Sequence, residues 1–102
     1  MIDICKALAD PARLKILEFL RRPDSQCCTF ADRVCACDIE PLLGLSQPAT
    51  SHHMRILVRA GLVTSEKDGR FIYYRLNGPA FAGAVEYFGR FVRPPRKATR
   101  AA

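Results

Sequence analysis

The chain carries no apolar run approaching the length of a membrane span, which excludes a transmembrane helix. Its first ten residues, MIDICKALAD, include aspartates and lack a basic segment followed by an apolar block. No secretory leader is therefore expected, and the sequence reads as cytoplasmic. The five cysteines cannot all pair, and four of them fall within Cys27–Cys37. Without export, a disulfide framework is disfavoured, and clustered thiols point to metal binding or redox chemistry. No Cys-x-x-Cys lies beside a βαβ pattern, which argues against a thiol oxidoreductase, and no enzyme is expected. The last absence is the most informative: Leu45–Gly61, LSQPATSHHMRILVRAG, contains no acidic residue.

That stretch reads as one helix with both ends marked. Ser46 is a good N-cap, Pro48 falls in the first turn, and Gly61 is placed to end it. Thr50, Met54, Leu57 and Val58 share one face at helical spacing, and Gln47, Ser51, His52, Arg55 and Arg59 share the other. A polar face of short hydrogen-bonding groups and arginines suits the major groove of DNA, although a solvated basic surface helix has the same composition. Charge distribution favours a polyanion. Residues 1–44 hold six Lys/Arg against seven Asp/Glu, whereas residues 45–102 hold ten against three.

A chain of 102 residues is one domain. Ile2–Ala9 reads as a short helix, and Asp10-Pro11 then caps a second over Ala12–Arg22 that ends before Pro23. Leu14, Ile16, Leu17, Phe19 and Leu20 give that helix a broad apolar stripe facing the core. Residues 23–37 are irregular, with Arg33–Cys37 able to extend. Asp38 is the expected N-cap of a helix of five or six residues, with Pro41 in its first turn and Gly44 at its end. A short helix, a glycine turn and a basic helix make a helix-turn-helix.

After Gly61 the period becomes strand-like. Leu62-Val63-Thr64 leads to a polar tip, Glu66-Lys67-Asp68-Gly69-Arg70, and the chain returns as Phe71–Arg75. Asp-Gly between β-rich runs signals a hairpin. Directly after a helix-turn-helix it is a wing, with Lys67 and Arg70 at its tip. Pro79–Val92 reads as a terminal helix with Phe81, Val85, Phe88 and Val92 on one stripe and Tyr87 and Phe91 beside it. That is more aromatic surface than one core face needs, and association with a second copy is the expected use. The fold class expected is mainly α with a β-hairpin wing: a winged helix-turn-helix, dimeric through its terminal helices. Residues 1–92 form the DNA-binding and dimerisation domain in this reading. Residues 93–102 form a basic, flexible tail.

ALADPARLKILEFL, CACD, LSQPATSHHMRILVRAGLV and DGRFIYYRLN, in this order, resemble the ArsR/SmtB family of metal- and metalloid-responsive repressors over Ala7–Asn77. The resemblance implies a dimeric winged helix that binds palindromic operators in double-stranded DNA and releases them when an inducer ion binds. It also implies two alternative ion sites. One needs Asp, His or Glu ligands on the last helix, where residues 79–92 offer Glu86 and no histidine or cysteine. The other uses Cys-x-Cys-Asp, which Cys35-Ala36-Cys37-Asp38 matches, and similarity to the arsenic-responsive type makes As(III) or Sb(III) the expected inducer. In that type a third cysteine often follows shortly after; Glu40-Pro41 stands there in this chain.

Residues i and i+2 diverge on a helix but share a face when extended, so Cys35 and Cys37 can grip one ion from an extended segment. Thiolate-only ligation suits a soft ion, and Cys27 or Cys28, or more remotely Cys5, could supply a third sulfur. The same thiols could hold Cd, Pb or Zn, with a zinc-stabilised structural domain as one outcome, or act as an oxidation or persulfide switch. His52-His53 is not a metal pair, since adjacent helical residues do not face each other. DNA contact is expected of His52 and a packed, hydrogen-bonded role of His53.

Overall fold

The computed structural model describes residues 1–23 and 33–95. Over these residues the chain builds α1 (Ile2–Leu8), α2 (Pro11–Arg21), β1 (Val34–Cys35), α3 (Ala36–Leu43), α4 (Gln47–Arg59), β2 (Val63–Asp68), β3 (Phe71–Leu76) and α5 (Gly78–Gly89). None of the described helices is long and apolar enough to cross a membrane. The punctuation expected from the sequence operates as chemistry. Asp10 caps α2, its carboxylate accepting from the Ala12 N–H at 2.8 Å with Pro11 in the first turn. Ser46 caps α4, its Oγ accepting from the Ala49 N–H at 3.2 Å. Ala60 and Gly61 end α4: Gly61 adopts φ 81°, its N–H reaches the Val58 carbonyl at 3.0 Å, and the Leu62 N–H reaches the Leu57 carbonyl at 3.1 Å. This is a Schellman closure, and the left-handed residue in it is one that glycine occupies without a Cβ clash.

The strands form one antiparallel sheet in the order β1-β3-β2. Asp68 pairs with Phe71, so the hairpin loop is Gly69-Arg70, with Gly69 at φ 66°. On the other side of β3, Val34 pairs with Tyr74 and Cys35 with Tyr73. One correction to the sequence reading follows from this pairing. Asp38 is not the N-cap of α3. The ladder holds Cys35 extended at φ −71°, ψ 141°, and the helix starts immediately after it, so Cys35 is the cap. Asp38 falls inside the first turn, buried at 5% exposure, where a carboxylate complements the helix dipole. Pro41 is then interior to α3, and having no N–H it gives the Cys37 carbonyl no i−4 bond.

Ile16, Leu17 and Leu20 of α2, Ile39 of α3, Met54 and Leu57 of α4, and Val34, Leu62 and Val63 from the sheet side make the core. Leu14 is 48% exposed, so the apolar stripe of α2 is broader than the core it faces. It lines a groove of about 470 Å³ with Leu8, Leu17, Leu76 and Phe81. Asn77 ties the end of α4 to the start of α5, its amide donating to the Gly61 carbonyl at 2.7 Å. Beyond that junction α5 leaves Val85 and Phe88 exposed, and Phe91 and Val92 just past its end are exposed as well.

Candidate nucleic-acid interface and thiol site

α3, the three residues Gly44–Ser46 and α4 form a helix-turn-helix, and β2–β3 follows as its wing. On α4, Thr50, Met54 and Leu57 are buried while Gln47, Ser51, His52, Arg55 and Arg59 are exposed, as the helical period requires. Ser51 and Arg55 line a cleft of about 270 Å³ with Ser65, Ile72 and Tyr74 of the wing, so helix and hairpin present one continuous surface. Lys67 and Arg70 are exposed at the far end of the hairpin. Arg59 sits apart, in a recess of about 400 Å³ shared with Asp3, Lys6 and Arg13 at the α1 end of α4.

His53 points away from this surface. Arg13 Nη1 lies 3.0 Å from His53 Nδ1, and the same guanidinium donates to the Ala7 carbonyl at 2.6 Å and the Lys6 carbonyl at 3.3 Å. A guanidinium only donates, so Nδ1 is the bare nitrogen and the ring proton sits on Nε2. Arg13 thus fastens α4 to the last carbonyls of α1. At the cap of α2, partial desolvation raises the Asp10 carboxyl. The Ala12 N–H, the charge of Arg13 and the Arg13 backbone N–H outweigh that and hold it below the usual aspartate value.

Cys35 is buried and Cys37 exposed. The Cys37 N–H points at Cys35 Sγ at 3.4 Å, and Cys37 Sγ lies 2.8 Å from Cys35 Sγ, the thiol of Cys37 donating. Two residues that would diverge within a helix converge here because the first is still extended and only the second is helical. Cys5 is exposed on α1. Cys27 and Cys28 lie outside the described residues. Among the described residues no group of three or more His, Cys, Asp or Glu is gathered for a metal ion.

Arg33 was not singled out from the sequence. Its Nη2 donates to Asp68 Oδ2 at 3.0 Å, its Nη1 meets Glu66 Oε1 at 3.1 Å, and its Cζ lies 4.0 Å from the centre of the Tyr73 ring. The Asp68 hydrogen bond, against some desolvation and with help from Glu66, holds the guanidinium still more firmly charged than usual. The available signal was the i, i+2 spacing of Glu66 and Asp68, which puts both carboxylates on one face of a strand.

The pattern that defines bacterial regulatory proteins of the arsR family matches residues 10–65. The transcriptional repressor SdpR of Bacillus subtilis is 33% identical over 92 residues, which cover 90% of this chain and 92% of SdpR. The arsenical resistance operon repressor of Staphylococcus aureus is 42% identical over 74 residues, covering 72% of this chain and 62% of that protein. A crystal structure described as a possible transcriptional regulator for arsenical resistance superposes with a TM-score of 0.73 at 30% identity, over 92% of this chain and 88% of that one. All three are described as transcriptional regulators and none as an enzyme.

Proposed function

Since the chain belongs to the arsR family of bacterial regulatory proteins, we propose that it is a repressor that binds a palindromic operator as a homodimer and lets go when a soft metalloid engages Cys35 and Cys37. The family assignment and the winged helix-turn-helix support DNA binding. In this reading Gln47, Ser51, His52 and Arg55 face base edges in the major groove. Lys67 and Arg70 meet phosphate or the minor groove, and Arg59 adds positive charge. Residues 1–92 act as the binding and dimerisation unit, and the tail 93–102 adds long-range attraction.

The observation that carries the sensing half is the 2.8 Å approach of the two sulfurs at the start of α3. Two thiols already convergent, one of them exposed, fit a soft trivalent ion such as As(III) or Sb(III), with Cys27 or Cys28 as the third donor. Cd, Pb and Zn are the lesser choices. Ligation replaces both S–H bonds by bonds to the ion, the protons leaving with the hydroxide or water it displaces, so the thiol-to-thiol bond is lost and both sulfurs are drawn into the ion's own geometry. The first turn of α3 is poorly placed to resist, because Pro41 supplies no hydrogen bond to the Cys37 carbonyl. Ile39 of α3 shares the core with Met54 and Leu57 of α4, so movement of α3 tilts the reading helix.

Gel shifts on promoter-region palindromes test both halves. Binding should fall by about 10³–10⁵ between roughly 50 and 200 mM salt if six to ten phosphates are contacted. Arsenite should release the wild type, while Cys35→Ser should bind but not release. Release of Cys35→Ser by arsenite would refute the thiol assignment, and salt-insensitive or undetectable binding by the wild type would refute the repressor itself. The same contact suits a thiol oxidation switch, for which peroxide rather than arsenite would be the effective agent.

A further inference from the structure

The wing mixes its charges: Glu66-Lys67-Asp68-Gly69-Arg70 alternates two carboxylates with the two cations placed at DNA. The ladder sorts them by face. Glu66 pairs with Tyr73, and Asp68 with Phe71, so these four side chains share one side of the hairpin; Lys67, paired with Ile72, lies on the other. Cys35 pairs with Tyr73, which puts Cys35, and Arg33 two residues before it, on the carboxylate side. Arg33 therefore reaches across β3, over the Tyr73 ring, to both carboxylates at 3.0–3.1 Å. Its side chain is 13% exposed, whereas those of Glu66 and Asp68 are 52% and 60% exposed. Arg75 adds a longer contact, 3.7 Å, to Glu66.

We propose that Arg33 is a wing-positioning residue for operator binding: it neutralises Glu66 and Asp68, so that Lys67 and Arg70 approach phosphate without opposed carboxylates beside them. This rests on the reading of the winged helix as the DNA-binding surface. Arg33 itself does not touch DNA. Its guanidinium is largely covered, and its fork is aimed at the wing carboxylates. Without it, two partly exposed carboxylates lie next to the wing cations and repel the phosphate backbone.

Operator affinity and its salt dependence, measured for Arg33→Ala, Glu66→Gln/Asp68→Asn and the triple variant, test this, with circular-dichroism melts to confirm folding. Arg33→Ala should bind at least about ten-fold more weakly than wild type, with little change in salt slope, since no phosphate contact is removed. Glu66→Gln/Asp68→Asn should bind as well as wild type or better. The triple variant should come within about three-fold of that double variant, because removing the carboxylates removes the need for their neutraliser. A triple variant as weak as Arg33→Ala overturns the proposal, as does an Arg33→Ala protein that binds like wild type. A salt slope reduced by about one per protomer also overturns it, since it would make Arg33 a phosphate ligand. If Arg33→Ala does not fold, Arg33→Lys carries the comparison. A point charge serves one carboxylate at a time, so its loss should be smaller and should vanish in the Glu66→Gln/Asp68→Asn background. A wild type that binds no palindrome in a salt-sensitive way overturns the DNA reading and this proposal together; any of the other failures overturns this proposal alone.

Discussion

The exposed aromatics at the end of the chain give the proposed dimer a quantitative test. Phe91 is 69% exposed, beside Phe88 at 45% and Val85 at 72%. Burying a whole phenylalanine side chain is worth about 1.5–3 kcal/mol, so the exposed two-thirds or so of Phe91 leaves about 1–2 kcal/mol to be gained at an interface. A two-fold dimer counts every contact twice, which makes the gain about 2–4 kcal/mol per dimer. Phe91→Ala should therefore raise the dimer dissociation constant roughly 30- to 1,000-fold. The fold should survive: Phe91 stacks on Tyr87 and Phe88 at 5.7 and 6.5 Å between ring centres, but the Tyr87–Phe88 pair at 5.2 Å does not need it. Sedimentation equilibrium reads the constant, and the far-ultraviolet dichroism spectrum checks the helices. A dissociation constant within about two-fold of wild type, from a protein with unchanged dichroism, would show that these rings meet no second copy. The premise that apolar area drives the association would then be wrong.

Two further outcomes follow from the helix junctions. A double-mutant cycle on Arg13→Ala and His53→Ala should give a coupling of about 1–2 kcal/mol in urea unfolding, the range for a partly buried hydrogen bond with a charged donor; additive losses would mean that the 3.0 Å contact holds nothing together. Acid stability should depend on Asp10. Its folded pKa is lowered, so the unfolded chain takes up the proton first. The stability it contributes is whole above the ordinary aspartate value of about 4 and is lost as the pH falls through the folded value. Asp10→Asn, which keeps a capping oxygen, should flatten the fall in melting temperature between about pH 5 and pH 3, and an unchanged slope would contradict the assignment.

The helix-turn-helix and its wing were legible in the sequence because their boundaries are written in local chemistry. Ser46, Pro48 and Gly61 bound α4, Asp10-Pro11 starts α2, and Asp68-Gly69 leads into the hairpin turn, each acting within a few residues of itself. What could not be read was set by contacts distant in sequence. β1 has two residues, too few to show a period, and only its pairing with Tyr73 and Tyr74 makes it a strand. That pairing in turn moves the start of α3 from Asp38 back to Ala36, since Cys35 cannot be helical while it is held in the ladder. Arg33 and Arg13 find their acidic and imidazole partners 35 and 40 residues away, and nothing in the sequence beside either arginine points to them. Leu14 shows the limit of periodicity: spacing places it on an apolar stripe but cannot say how wide a stripe the core will cover.

The position of Cys35 also bears on how a thiol event could reach DNA. Cys35 belongs to two elements at once, as the last residue of β1 and the cap of α3. On the proposed reading, an ion that draws its sulfur and that of Cys37 into its own geometry acts on both commitments. If the cap yields, α3 shifts against Met54 and Leu57 and the reading helix turns. If the ladder yields, Cys35 parts from Tyr73, and Arg33, which immediately precedes β1, moves with it and loosens its hold on Glu66 and Asp68. The first route disturbs base contacts and the second uncovers negative charge beside Lys67 and Arg70. Both weaken operator binding, so a switch built on this cysteine does not depend on which of its two attachments is the softer.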